Sequence, residues 1–230
     1  IEDIRTYFDE VVYAAGSTPD WIDIQGAPSS KVYQYPDIFQ QDSPPIGNRV
    51  AVIGNNNIAI DVATYLVHQS NRIPSRDEWL KIWGIGDPRE HRAGVVGMIP
   101  KTMTPFRNVA LLARNSGSFS SHIQEEFRTF EMQWLRILGI KTYNEVNLDS
   151  YDSTSLHISF GKNHDDSIPI PIDHIVICTT PTPNIELANR MNDAGLHIHI
   201  IGSAAVGDKD KVVKPILACI REGLKVGCSI

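Results

Sequence analysis

The sequence predicts an α/β protein built around a doubly wound parallel sheet. Three observations carry this. The apolar run Val50-Ala51-Val52-Ile53 passes through a tight turn, Gly54-Asn55-Asn56-Asn57, directly into a helical pattern. Similar runs recur at Asn108-Val109-Ala110-Leu111-Leu112 and His174-Ile175-Val176-Ile177-Cys178. Helix-length segments separate these runs. Strands covered on both faces read as continuous apolar runs, and strands alternating with helices wind in parallel.

In chain order, residues 10–16 form a short apolar run ended by Gly16 and broken by Ser17-Thr18-Pro19, a strand entering a tight turn. Residues 28–45, rich in Pro and Ser, read as a linker with one helical turn near 35–40. The strand 49–53 follows. In 58–68, Ile58, Val62 and Leu66 together with Ala59 and Ala63 have helical spacing, which opens a βαβ unit. Its closing strand, 108–112, arrives late because 70–107 is an irregular insertion holding Trp79 and Trp83. A Ser-rich turn at 115–121 leads to a helix over about 123–138, stopped by Gly139 at C′. Two hairpin-like strands, near 140–143 and 156–160, precede the strand at 174–178. The tail reads as a strand at 197–201, a Gly-Ser-Ala-Ala turn and a helix over about 212–226.

Composition limits the function. At 42% hydrophobic and 21% charged residues with a net charge of −6, the chain has the make-up of a soluble globular protein. No concentrated basic face is present for a nucleic acid or an anionic membrane surface. No apolar run approaches the roughly 18 residues of a membrane helix. Cys178, Cys219 and Cys228 are odd in number and lack CxxC spacing, which points away from disulfides and metal and toward a reducing, cytoplasmic compartment. The absence of an initiator Met and the short lead into the first strand raise the expectation of a piece of a larger protein.

The turn after Ile53 is the candidate site. A dinucleotide loop has the pattern G-x-G-x-x-G. The first Gly makes the turn, the second admits the pyrophosphate and the third lets helix and strand pack closely. Here the pattern is Gly54-x-Asn56-x-x-Ala59. Ala in third place is an accepted variant. Asn in second place tolerates positive φ but puts a side chain where the pyrophosphate would lie. The helix N-terminus still offers amides and partial positive charge to a phosphate. From the loop alone, a nucleotide site and an ordinary strand-turn-helix are equally supported. After the second strand, Leu112-Ala113-Arg114-Asn115-Ser116 carries an Arg and no acid, which favours the 2′-phosphate of NADP over the free ribose of NAD; a lone Arg there also reads as a solvated charge. The fold so described is a Rossmann-like, three-layer nucleotide-binding fold.

Other candidates carry less. His197 and His199 share one strand face, a two-ligand start for a metal, but no third ligand stands at suitable spacing, so an exposed strand face is favoured. Trp79 and Trp83, four apart, suit a helix face belonging to the core or to an interface patch. Cys178 ends a buried strand as an apolar packer. Glu125 and Glu126 begin a helix, where the dipole favours acids, and need not be a catalytic pair. There is no nucleophile elbow and no P-loop.

The ordered segments Phe8-Asp9-Glu10-Val11-Val12-Tyr13-Ala14-Ala15-Gly16, Val50-Ala51-Val52-Ile53-Gly54 with Ile58 and Asp61, Trp83-Gly84-Ile85, Leu111-Leu112-x-Arg114, Val176-Ile177-Cys178 and His199-Ile200-Ile201-Gly202 together resemble the C-terminal part of NADPH-dependent 2,4-dienoyl-CoA reductases, in the wider old-yellow-enzyme and trimethylamine-dehydrogenase-like group. The resemblance runs nearly end to end. It implies a parent flavoprotein with an N-terminal FMN barrel, an iron-sulfur cluster and an FAD domain interrupted by an NADPH domain, passing electrons from NADPH to a flavin and on to an acyl-CoA of fatty acid β-oxidation. FMN and the cluster lie outside this chain. On this reading residues 1–46 and 176–230 are parts of an incomplete FAD-type sheet domain, and 47–175 form the NADP(H)-binding domain. NADPH would be held by Gly54, Asn55, Asn56, Asn57, Ile58, Arg114 and Asn115, and FAD would be approached by Ala15, Gly16, Gly202 and Ala204. The resemblance assigns no catalytic residue here. It implies as partner the flavin barrel of the same protein or a homo-oligomer, with no nucleic acid and no membrane.

The chain departs from that family at ligand positions. Asn56, Asn57 and Ala59 replace Gly, Asn115 replaces Lys, and His122-Ile123-Gln124-Glu125 stands where Gly-Leu-Gly-Lys is usual. Gly-Gly-Ala-Asp becomes Gly202-Ser203-Ala204-Ala205, and Ala-Gly after the late strand becomes Thr179-Thr180. Larger or acidic groups in these places reduce phosphate complementarity. The competing expectation is therefore a degenerate nucleotide-binding domain with a structural or interaction role and no redox activity of its own.

Overall fold

The computed structural model describes residues 1–68, 74–87, 89–94, 102–114, 119, 125–161, 166–205, 214 and 216–230. The chain divides into two compact units, 21–179 and the pair 1–20 with 180–230.

The larger unit is a Rossmann-like α/β fold on a parallel sheet, five-stranded among the described residues. In chain order its strands are β3 (Val32–Gln34), β4 (Arg49–Ile53), β5 (Asn108–Leu112), β6 (Lys141–Tyr143) and β10 (His174–Ile177), lying side by side as β3-β10-β4-β5-β6. Every pairing in it is parallel. The central strands are apolar throughout because both faces are covered: Val50, Ala51, Val52, Ile53, Leu111, Leu112, Ile175 and Val176 are fully buried. One face is packed by α3 (Asn57–Val67), whose Ala59, Val62, Ala63 and Leu66 meet Val50, Val52, Val109, Leu111 and Val176, and by Leu135 of α5 (Glu125–Ile137). The other face, bearing Ala51, Ile53, Leu112, Ile175 and Ile177, is covered by Leu156, Ile158 and Ile172 from the second half of the unit.

That cover is an antiparallel sheet of β7 (Val146–Tyr151), β8 (Ser155–Phe160) and β9 (Ile168–Pro171). Here the structure corrects the expected hairpin of 140–143 with 156–160. β6 belongs to the parallel sheet, and the partner of β8 is β7. The sequence Val146-Asn147-Leu148-Asp149 hid this strand behind polar alternation, since only one of its faces is buried. The region 28–45 is likewise more than a linker. After it passes Pro28, β3 joins the sheet through Val32, which pairs with Ile175, and α2 (Tyr35–Ile38) follows at once, capped by Gln34 and Asp37. Three residues were too short a run to stand out among prolines.

The insertion contains α4 (Arg76–Trp83), which opens on a Ser75–Glu78 capping box and closes on Gly84 in the left-handed region. Gly139 ends α5 with φ of +73°, as its C′ position requires. The turn at 115–121, apart from Phe119, and the start of the helix placed at 123 lie outside the described residues.

The smaller unit holds α1 (Glu2–Tyr7), β1 (Val11–Tyr13), β2 (Ser17–Thr18), β11 (Thr182–Pro183), α6 (Glu186–Asp193), β12 (Ile198–Ile200) and α7 (Ile216–Gly227). β1 pairs with β12 in parallel, and β2 with β11 antiparallel. Its small core gathers Tyr13, Ala188 and Ala204. α1 and α6 were not read from the sequence. The part of the final helix expected over 212–215 falls on residues of which only Lys214 is described.

Candidate functional site

β4 lies between β5 and β10, and because all three run the same way their C-terminal ends meet at one edge of the sheet. Ile53 stands level with Leu112 on one side and Ile177 on the other. The chain moves outward from β4 to β5 and β6, then returns to β10 on β4's opposite flank. The strand order therefore reverses between β4 and β10, and open α/β sheets bind ligands at such a reversal.

Gly54 sits in this crevice. Its amide donates to the Leu112 carbonyl at 2.9 Å, and the Cys178 amide donates to the Ile53 carbonyl at 2.8 Å. A Cβ on residue 54 would lie 2.4 Å from the Cys178 carbonyl oxygen and 3.0 Å from the Ala59 Cβ. No side chain fits there, so glycine is required by the close approach of the two strand ends. Ala59 is fully buried against the same spot and serves the packing role of the third glycine.

Asn56 behaves differently from the expectation that it would exploit a tolerance for positive φ. Its φ is −94°, ordinary extended backbone, and it is the N-cap of α3. Its Oδ1 accepts a hydrogen bond from the Ala59 amide at 3.0 Å. The carboxamide oxygen thus stands where a phosphate oxygen would otherwise take that amide. Asn55 and Ile58 are half-buried and Asn57 is exposed, and Ile58 packs against the core beneath α3.

Arg114 is exposed two residues beyond the end of β5. Since Leu112 is level with Ile53, the topology brings Arg114 to the same sheet edge as Gly54 and Asn55. Asn115 lies outside the described residues. Thr179, noted in the sequence only as a departure from a familiar pattern, follows Cys178 at this edge. Its Oγ1 is buried with no hydrogen-bond partner among the described residues. An orphaned hydroxyl of this kind has no sequence signature, because its isolation depends on which strand ends surround it. Cys178 itself is inert, with burial pushing its thiol far above the ordinary range.

In the smaller unit, Ala15 is exposed and Gly16 turns the chain with φ of +69°, its carbonyl accepting from the Asn184 amide at 3.0 Å. Gly202 also has positive φ, +68°, and its amide donates to Glu222 Oε2 at 2.8 Å. Glu222 is held on its other oxygen by Lys214 Nζ at 2.5 Å, and these two contacts, the lysine's first, keep its carboxyl below the usual range. Nothing in local pattern singles out Glu222, twenty residues from Gly202 on another element. Ala204, by contrast, has its methyl fully buried in the small core.

His199 Nε2 lies 2.7 Å from Glu10 Oε2, and His197 Nδ1 is 4.0 Å from Oε1 of the same carboxylate. The neighbouring strand thus supplies an acid that sequence spacing could not show, but no grouping fit to hold a metal is present among the described residues. The side chains of Glu125 and Glu126 are outside the described set. Among the described residues, no helix is long and apolar enough to cross a membrane.

A family model described as pyridine nucleotide-disulphide oxidoreductase matches residues 2–215. Among solved structures, the chain is similar to a 2-naphthoyl-CoA reductase in complex with 2-naphthoyl-CoA, at 19% identity and a TM-score of 0.68 over 96% of this chain and 27% of that one. It is similar to histamine dehydrogenase from Rhizobium sp. 4-9 at 15% identity and a TM-score of 0.63, over 98% of this chain and 31% of that one. An engineered water-forming NADPH oxidase bound to NADPH aligns at 18% identity and a TM-score of 0.57, over 96% and 46% respectively. At such identities the likeness is one of fold, and the chain spans less than half the length of each.

Proposed function

Because the chain belongs to the pyridine nucleotide-disulphide oxidoreductase family, which binds FAD and NAD(P), we propose that it is the nucleotide-binding portion of a flavin-dependent oxidoreductase and that its larger unit binds NADPH. The observation that carries this is the meeting of Gly54, Arg114 and Thr179 at one sheet edge, where the strand order reverses. The pyrophosphate would lie against the Gly54–Ile58 turn and the amides of α3. Arg114 would pair with the 2′-phosphate, a contact that NADH cannot make. Thr179 would direct to the ligand a hydroxyl that has no partner among the described residues. When bound, NADPH supplies a hydride for a flavin; the residues named here bind and orient it and move no proton.

In the smaller unit the residues fit a flavin less well. Glu222 already occupies the Gly202 amide, and the Ala204 methyl is turned into the core. FAD is accordingly placed with the parent protein, whose further parts would include a flavin barrel passing electrons to an acyl-CoA, as in the 2,4-dienoyl-CoA reductases. The segment 47–175 read from the sequence as the NADP(H)-binding domain lies inside the larger unit, 21–179, which also takes in β3, the end of β10 and Thr179.

A second reading rests on the Asn56 cap. If that side chain closes the phosphate position, the chain is a degenerate domain acting through packing against a barrel or a second copy. Calorimetric titration with NADPH and NADH at low salt, with Arg114→Ala beside the wild type, separates the two. NADPH binding that weakens toward the NADH value in Arg114→Ala supports the first reading. No binding of either nucleotide supports the second.

A further inference from the structure

α7 turns its bulky apolar side outward. Over Ile216–Gly227 no residue is buried. The side that meets its own unit is made of small or acidic residues. The Cys219 Sγ lies 3.8 Å from where a Cβ on Gly202 would stand, a Cβ on Gly223 would lie 3.8 Å from the Ile201 Cδ1, and Glu222 accepts from the Gly202 amide. On the opposite side Ile216, Ile220 and Leu224 recur at every fourth position with Leu217 beside them, one continuous stripe. Ile216 is 79% exposed, Leu217 58%, Ile220 61% and Leu224 68%. A surface helix ordinarily lays such a stripe on its own core, and here the order is reversed. Contiguous apolar patches of this kind mark interaction sites.

Charge says what covers it. Arg221 and Lys225, four apart and both exposed, run along one margin of the stripe, next to Leu217 and Leu224. Glu222, the only acid of α7, is on the inner side, held by Lys214 Nζ and the Gly202 amide. The outer side therefore presents apolar bulk edged by positive charge, on a chain whose net charge is −6. A second copy packed α7 to α7 brings those cations no carboxylate, and in an antiparallel two-fold pair it sets like margins against each other. Two cations also fall short of the four to eight that hold a segment to an anionic lipid surface, which the net negative charge further opposes. A ridge of residues four apart fits the groove of another helix. We propose that this face docks an amphipathic helix of a neighbouring protein domain, with an apolar stripe and an Asp- or Glu-bearing margin that meets Arg221 and Lys225. The surface belongs to the smaller unit and its role does not depend on NADPH binding by the larger one.

The test is fluorescence anisotropy of two labelled synthetic helices titrated with the full chain at low salt. Both carry the same Leu stripe on an Ala frame, one with Glu along its margins and the other with Lys. The Glu peptide is expected to bind saturably and about tenfold more tightly than the Lys peptide, and added salt should narrow the gap. The double variant Arg221→Gln with Lys225→Gln should abolish the preference, whereas Ile220→Gln and Leu224→Gln should each weaken the Glu peptide by about tenfold. All four side chains are exposed, so the variants should keep the fold, which a matching thermal unfolding curve checks. Any self-association through this face should be displaced by the Glu peptide. Equal binding of the two peptides would overturn the proposal in favour of an apolar surface without charge selection. A dimer that Ile220→Gln breaks and the Glu peptide does not displace would overturn it in favour of a second copy. Binding to phosphatidylserine vesicles without peptide binding would overturn it in favour of a lipid surface, and no saturable binding of the Glu peptide would refute it outright.

Discussion

Replacing Asn56 should separate two roles that one side chain performs. In Asn56→Ala the Oδ1 that accepts from the Ala59 amide at 3.0 Å is gone. Loss of an N-cap of this kind costs about 1 kcal/mol, within a range of roughly 0.5–2, whereas glycine in the same place costs only a few tenths. For a protein of this size about 1 kcal/mol corresponds to a fall of roughly 2–4 °C in Tm. The affinity for NADPH should move the opposite way in Asn56→Gly. The freed Ala59 amide can donate to a phosphate oxygen, and a hydrogen bond to a charged group contributes about 1.5–3 kcal/mol, or roughly 10- to 150-fold in Kd. Urea unfolding followed by tryptophan fluorescence reads the first effect. All four tryptophans, Trp21, Trp79, Trp83 and Trp134, lie in the unit that contains the loop. Calorimetric titration reads the second. An unchanged stability in Asn56→Ala would mean that the cap does not hold α3. A tighter NADPH complex in Asn56→Gly is the expected result, and unchanged or weaker binding would refute the idea that Asn56 occupies the phosphate position.

Further outcomes follow from neighbouring contacts. Gly54→Ala should destabilise the larger unit by about 1–3 kcal/mol, because its Cβ would press on the Cys178 carbonyl oxygen at 2.4 Å and neither strand end can move freely; an unchanged urea midpoint would contradict this. Thr179→Val removes the orphaned hydroxyl while keeping shape, so unfolding stability should hold or rise while NADPH binding weakens; loss of stability would show that the hydroxyl is partnered. The Asp152 carboxyl is held below the usual range by His157 first and by Thr154 and Ser155 as well. A depressed folded pKa contributes stability that is full above the unfolded value of about 3.9 and lost as pH falls. Asp152→Asn should therefore flatten the acid limb of the stability profile below about pH 4, and parallel limbs in thermal melts would count against it. Asp61 has the opposite sign: burial, then Glu131, raises its pKa, so its charged form disfavours folding at neutral pH. Asp61→Asn should gain stability at neutral pH and none below about pH 4, which the same melts would test. Sedimentation velocity tests the exposed faces of the smaller unit, where Val12, Ile216, Ile220 and Leu224 are uncovered; self-association is expected, and a monodisperse monomer over the concentration range argues against it.

The central frame of the larger unit is legible in the order of residues. Val50-Ala51-Val52-Ile53, Asn108 to Leu112 and the run from His174 to Ile177 are legible as buried parallel strands because covering both faces leaves no room for polar alternation. α3 announces itself through helical spacing, and the end of α5 through the Gly139 stop. The place of the loop, at the end of the first strand of a βαβ unit, was equally readable. The antiparallel cover of the sheet was misread, since β7 has a single buried face and β9 contains two prolines, so neither resembles its neighbours in sequence. The role of each site residue came from long-range packing. That Gly54 is required by a carbonyl 124 residues later, that Asn56 caps its own helix, that the Thr179 hydroxyl finds no partner among the described residues and that Glu222 holds the Gly202 amide are facts about which chain ends meet. Local pattern records the faces an element must bury, but the partner of a polar atom is set by strand order, and strand order is a property of the whole packed sheet.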